Sequence, residues 1–309
     1  MTAVAIFLVV FSSLVHAGWN VLSKRSSADG AYYTVAAMAG FIAMVPLIGL
    51  WRETFLNMPP KVWLYLVPTG LFQGIYFAGL SGAYRTGEMS VAYPVARAVP
   101  VLLVPLAAIL VGTGEIPGPA AAIGMVLVAA GLLAVSGRRR KSSWAPTGAG
   151  MLRWVPFAVL AGVGTTGYSI VDDAALAAFR SAMATPTLPD RVLSVEIPLI
   201  YSGFQALATV VFLSIFGSIQ HGPGAYVGSL RRTQMRSAAA TGVAIIIAYG
   251  LVLLAYGFAD NVGYVVAFRQ LSLPMGTILA VFLLKERVTT AGLAGTAMIV
   301  VGLVMVGIA

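Results

Sequence analysis

The chain has 309 residues, of which 59% are hydrophobic and only 9% charged, with a mean hydropathy of +0.93. A soluble domain carries about 25% charged residues, and so few polar groups cannot cover a water-facing exterior, so a soluble fold is excluded. The net charge of +9 falls between long apolar runs rather than in one patch, which suits orientation in an anionic bilayer and not nucleic acid.

Apolar runs of about 17–25 residues, each long enough to span a bilayer as a helix, recur ten times, near 3–22, 31–50, 62–84, 89–112, 118–136, 152–178, 192–216, 238–258, 261–284 and 290–308. They are continuous, without the alternation of a membrane barrel. The expected fold class is an all-α polytopic membrane protein with ten transmembrane helices. With no cysteine, thiolate metal sites and disulfides are excluded.

Span 1 has no basic region before its apolar stretch, so it reads as a first span rather than a cleaved leader, although "VHA" could precede a cut. Ser12, His16, Trp19, Asn20 and Ser23 share one helical face at three- and four-residue spacing. Trp19 and Asn20 are candidates for cavity lining. A histidine is able to titrate near neutrality, so His16 is either a proton relay or a hydrogen-bond partner. Span 3 adds Gln73 and Tyr76.

Span 4 carries Arg97 among Pro94, Pro100 and Pro105, and span 9 carries Arg269 before Pro274. A charge at mid-membrane costs roughly 3 kcal/mol and persists only when it faces the bundle interior. A guanidinium suits carboxylate or phosphate, so each arginine either holds an anionic group of a substrate or forms a structural ion pair. Tyr93, Tyr264 and Gln270 flank the pair.

In span 6, Asp172 shares a face with Thr165, Tyr168 and Ser169, while Asp173 points about 100° away. Asp172 is a candidate coupling acid or cation ligand, or else a counter-ion for an arginine. Glu196, near the start of span 7, is a second candidate for coupling. Tyr249 and Tyr256 in span 8 add aromatic surface, and tyrosines near span ends, Tyr256 and Tyr264 included, equally suit the interfacial belt. The polar stretch 217–236 is expected to hold one short interfacial helix.

The halves align. "AYRTGE" at 83–88 meets "AYGFAD" at 255–260 with an offset of 172, which also carries Arg97 onto Arg269. After one deletion Glu115 meets Glu286, and Gly124 and Gly131 meet Gly295 and Gly302. Five spans is an odd number, so the second copy enters from the opposite side: an inverted repeat, as in many secondary transporters. The expected units are residues 1–136, a basic linker at 137–151, and residues 152–309.

"SVAYPVARAVPVLLVPLAAILVGTGE", "LSLPMGTILAVFLLKERVTTAGLAGTAMIVVGLVMV" and "HAGWN" at 16–20 resemble the EamA repeats of the drug/metabolite transporter superfamily. The resemblance implies a ten-helix basket around a cavity lined by spans 1, 3, 4, 6, 8 and 9, moving amino acids, metabolites or drugs, often outward. Glu115 and Glu286 resemble the turn glutamates of that pattern, although in "TGEIPGP" the basic residue that often follows is missing.

Of 19 Lys and Arg, thirteen fall in odd-numbered connections and four in even ones. Positive-inside counting thus places both termini outside, whereas the resemblance implies both inside. No GxxxxGK[ST], HExxH or Cys/His cluster occurs, so neither an ATP-driven pump nor a metalloenzyme is expected, and no metal or cofactor. The function expected is a secondary transporter, an exporter, of a small polar or amphipathic metabolite, anionic in part, with proton coupling. It would lie in a bacterial inner membrane, in contact with the lipid bilayer, and need no oligomer. The alternative is a non-transporting membrane protein, such as a lipid-handling enzyme or assembly partner.

Overall fold

The computed structural model describes residues 2–26, 28–86, 89–112, 114–136, 148–184, 190, 192–259, 261–275 and 290–308. Glu286, Lys285 and the basic run Arg138–Lys141 lie outside the described residues. The helices are α1 (Ala3–Arg25), α2 (Gly30–Leu50), α3 (Arg52–Leu56), α4 (Pro60–Thr86), α5 (Met89–Leu110) and α6 (Pro119–Ser136), then α7 (Gly148–Met183), α8 (Ile197–His221), α9 (Pro223–Arg232), α10 (Met235–Tyr256), α11 (Val262–Phe268) and α12 (Thr290–Ile308). A π turn at Val192–Glu196 leads into α8, and α9 is the short helix expected in the 217–236 linker.

Among the described residues six helices are long and apolar enough to cross a membrane, α1, α2, α10 and α12 among them, and shorter apolar helices run over 94–110 and 119–135. Their outward faces are greasy: Phe7, Ile42, Leu64, Leu106, Val126 and Val304 are all exposed. In lipid such a surface is the favourable one, because a helix satisfies its own backbone groups and presents hydrocarbon to hydrocarbon. The chain is an integral, multi-pass membrane protein.

Two local departures from the sequence reading have clear causes. α7 begins at Gly148, inside the stretch expected to be linker up to 151, since nothing after Pro146 forbids a helix. The run expected as one helix over 261–284 is interrupted. α11 stops at Phe268, Arg269–Leu271 forms a 3₁₀ turn, and helix resumes over 272–275. Pro274 has no N–H to give, and its ring crowds the carbonyl four residues earlier, Gln270. α5, with three internal prolines, stays helical throughout.

The helices pack in related pairs. α1 lies on α10 and α4 on α7; α2 lies on α10 and α4 on α8; α2 contacts α8, and α6 contacts α12. Exchanging each helix for the one five spans away turns the α1–α10 pair into α4–α7 and the α2–α10 pair into α4–α8, and returns α2–α8 and α6–α12 to themselves. The match reaches single residues. A Cβ at Gly70 would sit 2.7 Å from the Ala208 Cβ, and one at Gly242 would fall onto the Ala36 carbonyl; 242 and 208 are 172 beyond 70 and 36. α6 and α12 run antiparallel at backbone contact: a Cβ at Gly124 would lie 2.6 Å from the Gly302 oxygen, and one at Gly131 2.6 Å from the Gly295 oxygen. Small residues permit this approach, and dispersion across it replaces the hydrophobic drive that lipid cannot supply.

Candidate substrate cavity

A cavity of about 60 Å³ lies in the interior between α1, α2, α4, α7, α8 and α10, where the 3₁₀ turn brings in Arg269. Six residues singled out from sequence line it or its edge here: His16, Trp19, Gln73, Tyr76, Tyr168 and Arg269. Ser12 and Tyr249 join them.

Arg269 is buried, with 7% of its surface exposed. Its guanidinium lies 5.2 Å from the centre of the Tyr249 ring, a cation–π contact, and Nη2 reaches the Tyr168 hydroxyl only at 3.5 Å. Nη1 has no hydrogen-bond partner among the described residues. Tyr168 meets Tyr249 edge-on at 5.5 Å and Tyr76 edge-on at 6.0 Å, so the wall beside the cation is a run of interlocked rings.

Arg97 does something else. It is 3% exposed, and its Nη2 donates to the Arg269 carbonyl oxygen at 3.1 Å and to Ser272 Oγ at 3.0 Å. Ser272 Oγ itself donates to the same carbonyl at 3.0 Å. Arg97 therefore serves the carbonyl exposed by the broken helix instead of lining the cavity. The ion pair with an arginine, one of the alternatives for Asp172, is not formed among the described residues: Asp172 is fully buried and its donors there are all neutral. Thr69 (2.6 Å) and Tyr201 (2.8 Å) donate to Oδ1, and Gln205 and Tyr249 to Oδ2. This knot ties α4, α7, α8 and α10 together.

Trp19 donates its indole N–H to His16 Nδ1 at 3.1 Å, and the rings meet edge-on at 4.6 Å. Asn20 turns back to donate to the His16 carbonyl at 2.8 Å and does not line the cavity. Gln270 is buried and donates to the Val266 carbonyl; Tyr256 and Tyr264 pack into the core near the end of α10 and in α11. Tyr93 lies on α5, with its side chain outside the described residues. Glu196 is buried where the π turn meets α8 and accepts from Thr54 in α3 at 2.7 Å, away from the cavity.

Sequence reasoning missed Tyr33, Phe77, Gln205 and Thr209. Tyr201, Gln205 and Thr209 are four residues apart, and so are Thr69 and Gln73, so both stripes were visible as helical faces. Tyr33 had no such partner in its own helix. Its ring stacks on Phe77 at 4.5 Å, and it also lines a second, larger cavity of about 710 Å³. That vestibule lies among the ends of α1, α4 and α8 and the start of α2, with Ser23, Asp29, Arg85 and His221 at its rim. Tyr33 is thus shared by the vestibule and the inner cavity, and Phe77 lines the inner one.

No curated protein matches the sequence. The fold is similar to that of a protein solved by crystallography, at TM-score 0.68 and 20% identity over 98% of this chain and 98% of that one. The model of the EamA-like transporter family matches residues 3–137.

Proposed function

We propose that the protein is a secondary transporter that exports a small amphipathic metabolite bearing an acid group, by alternating access of two inverted five-helix halves, residues 1–136 and 152–309. The observation that carries this reading is the buried Arg269, held at a helix interruption beside a cavity, with one guanidinium nitrogen left without a partner. Interrupted helices at mid-membrane are where transporters place substrate-binding groups. The inverted arrangement is supported by the antiparallel Gly124/Gly302 and Gly131/Gly295 contacts and by the hydrogen bond that joins Arg97 to Arg269, the residue 172 positions on.

The vestibule lies at the end of the bundle that bears the odd-numbered connections, where the basic residues concentrate. Positive-inside counting makes this the cytoplasmic end, the side from which an exporter loads. Asp172 is the residue we assign to proton coupling. Its four donors come from three helices, α4, α8 and α10, so motion of those helices relative to α7 must strip donors from the carboxylate and favour its protonation. His16 and Glu196 are secondary candidates, His16 because it lines the cavity and Glu196 because its bond to Thr54 spans α3 and the π turn.

Purified protein in vesicles tests this reading. It should release preloaded solute from a panel of organic acids, and Arg269→Ala should abolish the release while the protein stays folded in the membrane. Undiminished flux in Arg269→Ala would remove the site, and no flux of any solute would remove the transport reading. A reporter fused to the C-terminus fixes which side the vestibule faces.

A further inference from the structure

We infer that the central cavity selects an organic monoanion with an aromatic or apolar body and no ammonium group: an aryl-alkyl carboxylate rather than an amino acid. This rests on the transport reading and names the substrate class for the same cavity.

The first argument is charge. Around the cavity Arg97 and Arg269 bring two positive charges and Asp172 one negative, a local net of one positive; Glu196, the other buried carboxylate, lies away from it against Thr54. A bound monoanion cancels it. A zwitterion leaves it standing, and an amine doubles it. Uncompensated charge in a low-dielectric interior is costly, so the occupant that brings the sum to zero is favoured.

The second argument is the identity of the lining. No described residue that lines the cavity is acidic. Asp172, the nearest carboxylate in the network, has both oxygens doubly occupied by neutral donors, and Tyr249 stands between it and Arg269. The Tyr249 ring face, which could receive an ammonium, already receives the guanidinium. A ligand amine would find no counter-charge, whereas a ligand carboxylate would find the free Nη1 of Arg269.

The third argument is shape. At about 60 Å³ the cavity is small beside the vestibule of about 710 Å³. The walls on the route outward are Tyr33, Phe77, Tyr76 and Trp19. An aromatic body would lie among these rings and displace Tyr33 toward the 710 Å³ vestibule. Rings recognise rings with little loss of conformational freedom.

Three solutes with one ring and one chain length separate the charge classes: 3-phenylpropionate, phenylalanine and phenethylamine. Each is added at the same concentration to the purified full chain, and thermal unfolding is followed. We expect 3-phenylpropionate alone to raise the midpoint, by about 2–4 °C at saturation. Arg269→Gln should remove that shift, and Arg269→Lys should retain part of it. A merely structural arginine would change the unliganded midpoint without erasing the preference among the three. Equal shifts, a larger shift with phenylalanine, or no shift with any of them overturns the inference. The vesicle panel keeps the outcomes apart: flux of some other solute alongside any of those results removes only the monoanion class, and absence of all flux removes transport itself.

Discussion

Arg97 and Arg269 stand at matching places in the two halves, 172 residues apart, and both are buried, yet they do different work. Around Arg97 the helix α5 runs unbroken from Met89 to Leu110 despite three prolines. Around Arg269 the helix gives way to a 3₁₀ turn. The unbroken helix leaves Arg97 free to reach across and cap a carbonyl on the other half. The broken one exposes that carbonyl and turns Arg269 toward the cavity. Two arginines 172 positions apart thus take their tasks from the backbone around each. The two ends of the bundle differ likewise: a vestibule lies above Tyr33, while the carboxylate knot of Asp172 binds four helices.

The largest effect should come from that knot. Asp172→Ala strands four buried donors, each costing about 1–3 kcal/mol in full, so after relaxation the loss should be about 3–5 kcal/mol. Thermal unfolding in detergent would read it, and an unchanged midpoint would show that the knot holds nothing together.

Next comes the division of labour between the arginines. Arg97→Gln should lower stability by about 1–3 kcal/mol, because the Arg269 carbonyl and Ser272 lose a charged donor. Arg269→Gln should leave the midpoint unchanged or raise it, since a buried charge with an unpartnered nitrogen is removed, while flux disappears. Measuring both quantities in both variants breaks the comparison if the effects run the other way.

The repeat itself sharpens under glycine substitution. Gly131→Val and Gly295→Val push on the same backbone contact from opposite helices, so each should cost about 1–3 kcal/mol, and similar amounts. Unequal costs would mean that α6 and α12 are not equivalent partners.

The smallest effect concerns access. The chain has no native cysteine, so Thr209→Cys places a single thiol beside the cavity. Tyr33→Ala should speed its labelling by a water-soluble maleimide several-fold. An unchanged rate would show that Tyr33 does not stand between vestibule and inner cavity.

Much of the fold was legible in residue order. Long apolar runs dictate helices in lipid, because only helices and closed barrels satisfy their own backbone groups there. The lining contributed by span 1 and span 6 was readable as polar faces on apolar helices. Tyr33 and Phe77 were not, because an aromatic residue in an apolar helix reads the same whether it faces lipid, core or cavity. Arg97 was misleading for a related reason. A buried cation demands a partner, but sequence does not say whether that partner is a ligand, a carboxylate or a carbonyl 172 positions away.

Composition and periodicity by themselves determined that this chain lives in a membrane and crosses it repeatedly, since those are consequences of transfer free energy summed over local stretches. Only the tertiary structure decided which arginine meets the cavity, which donors surround Asp172 and which residue the two cavities share. Those outcomes depend on pairs of atoms brought within 3–4 Å by packing, and close distances between remote residues are not written in either segment alone.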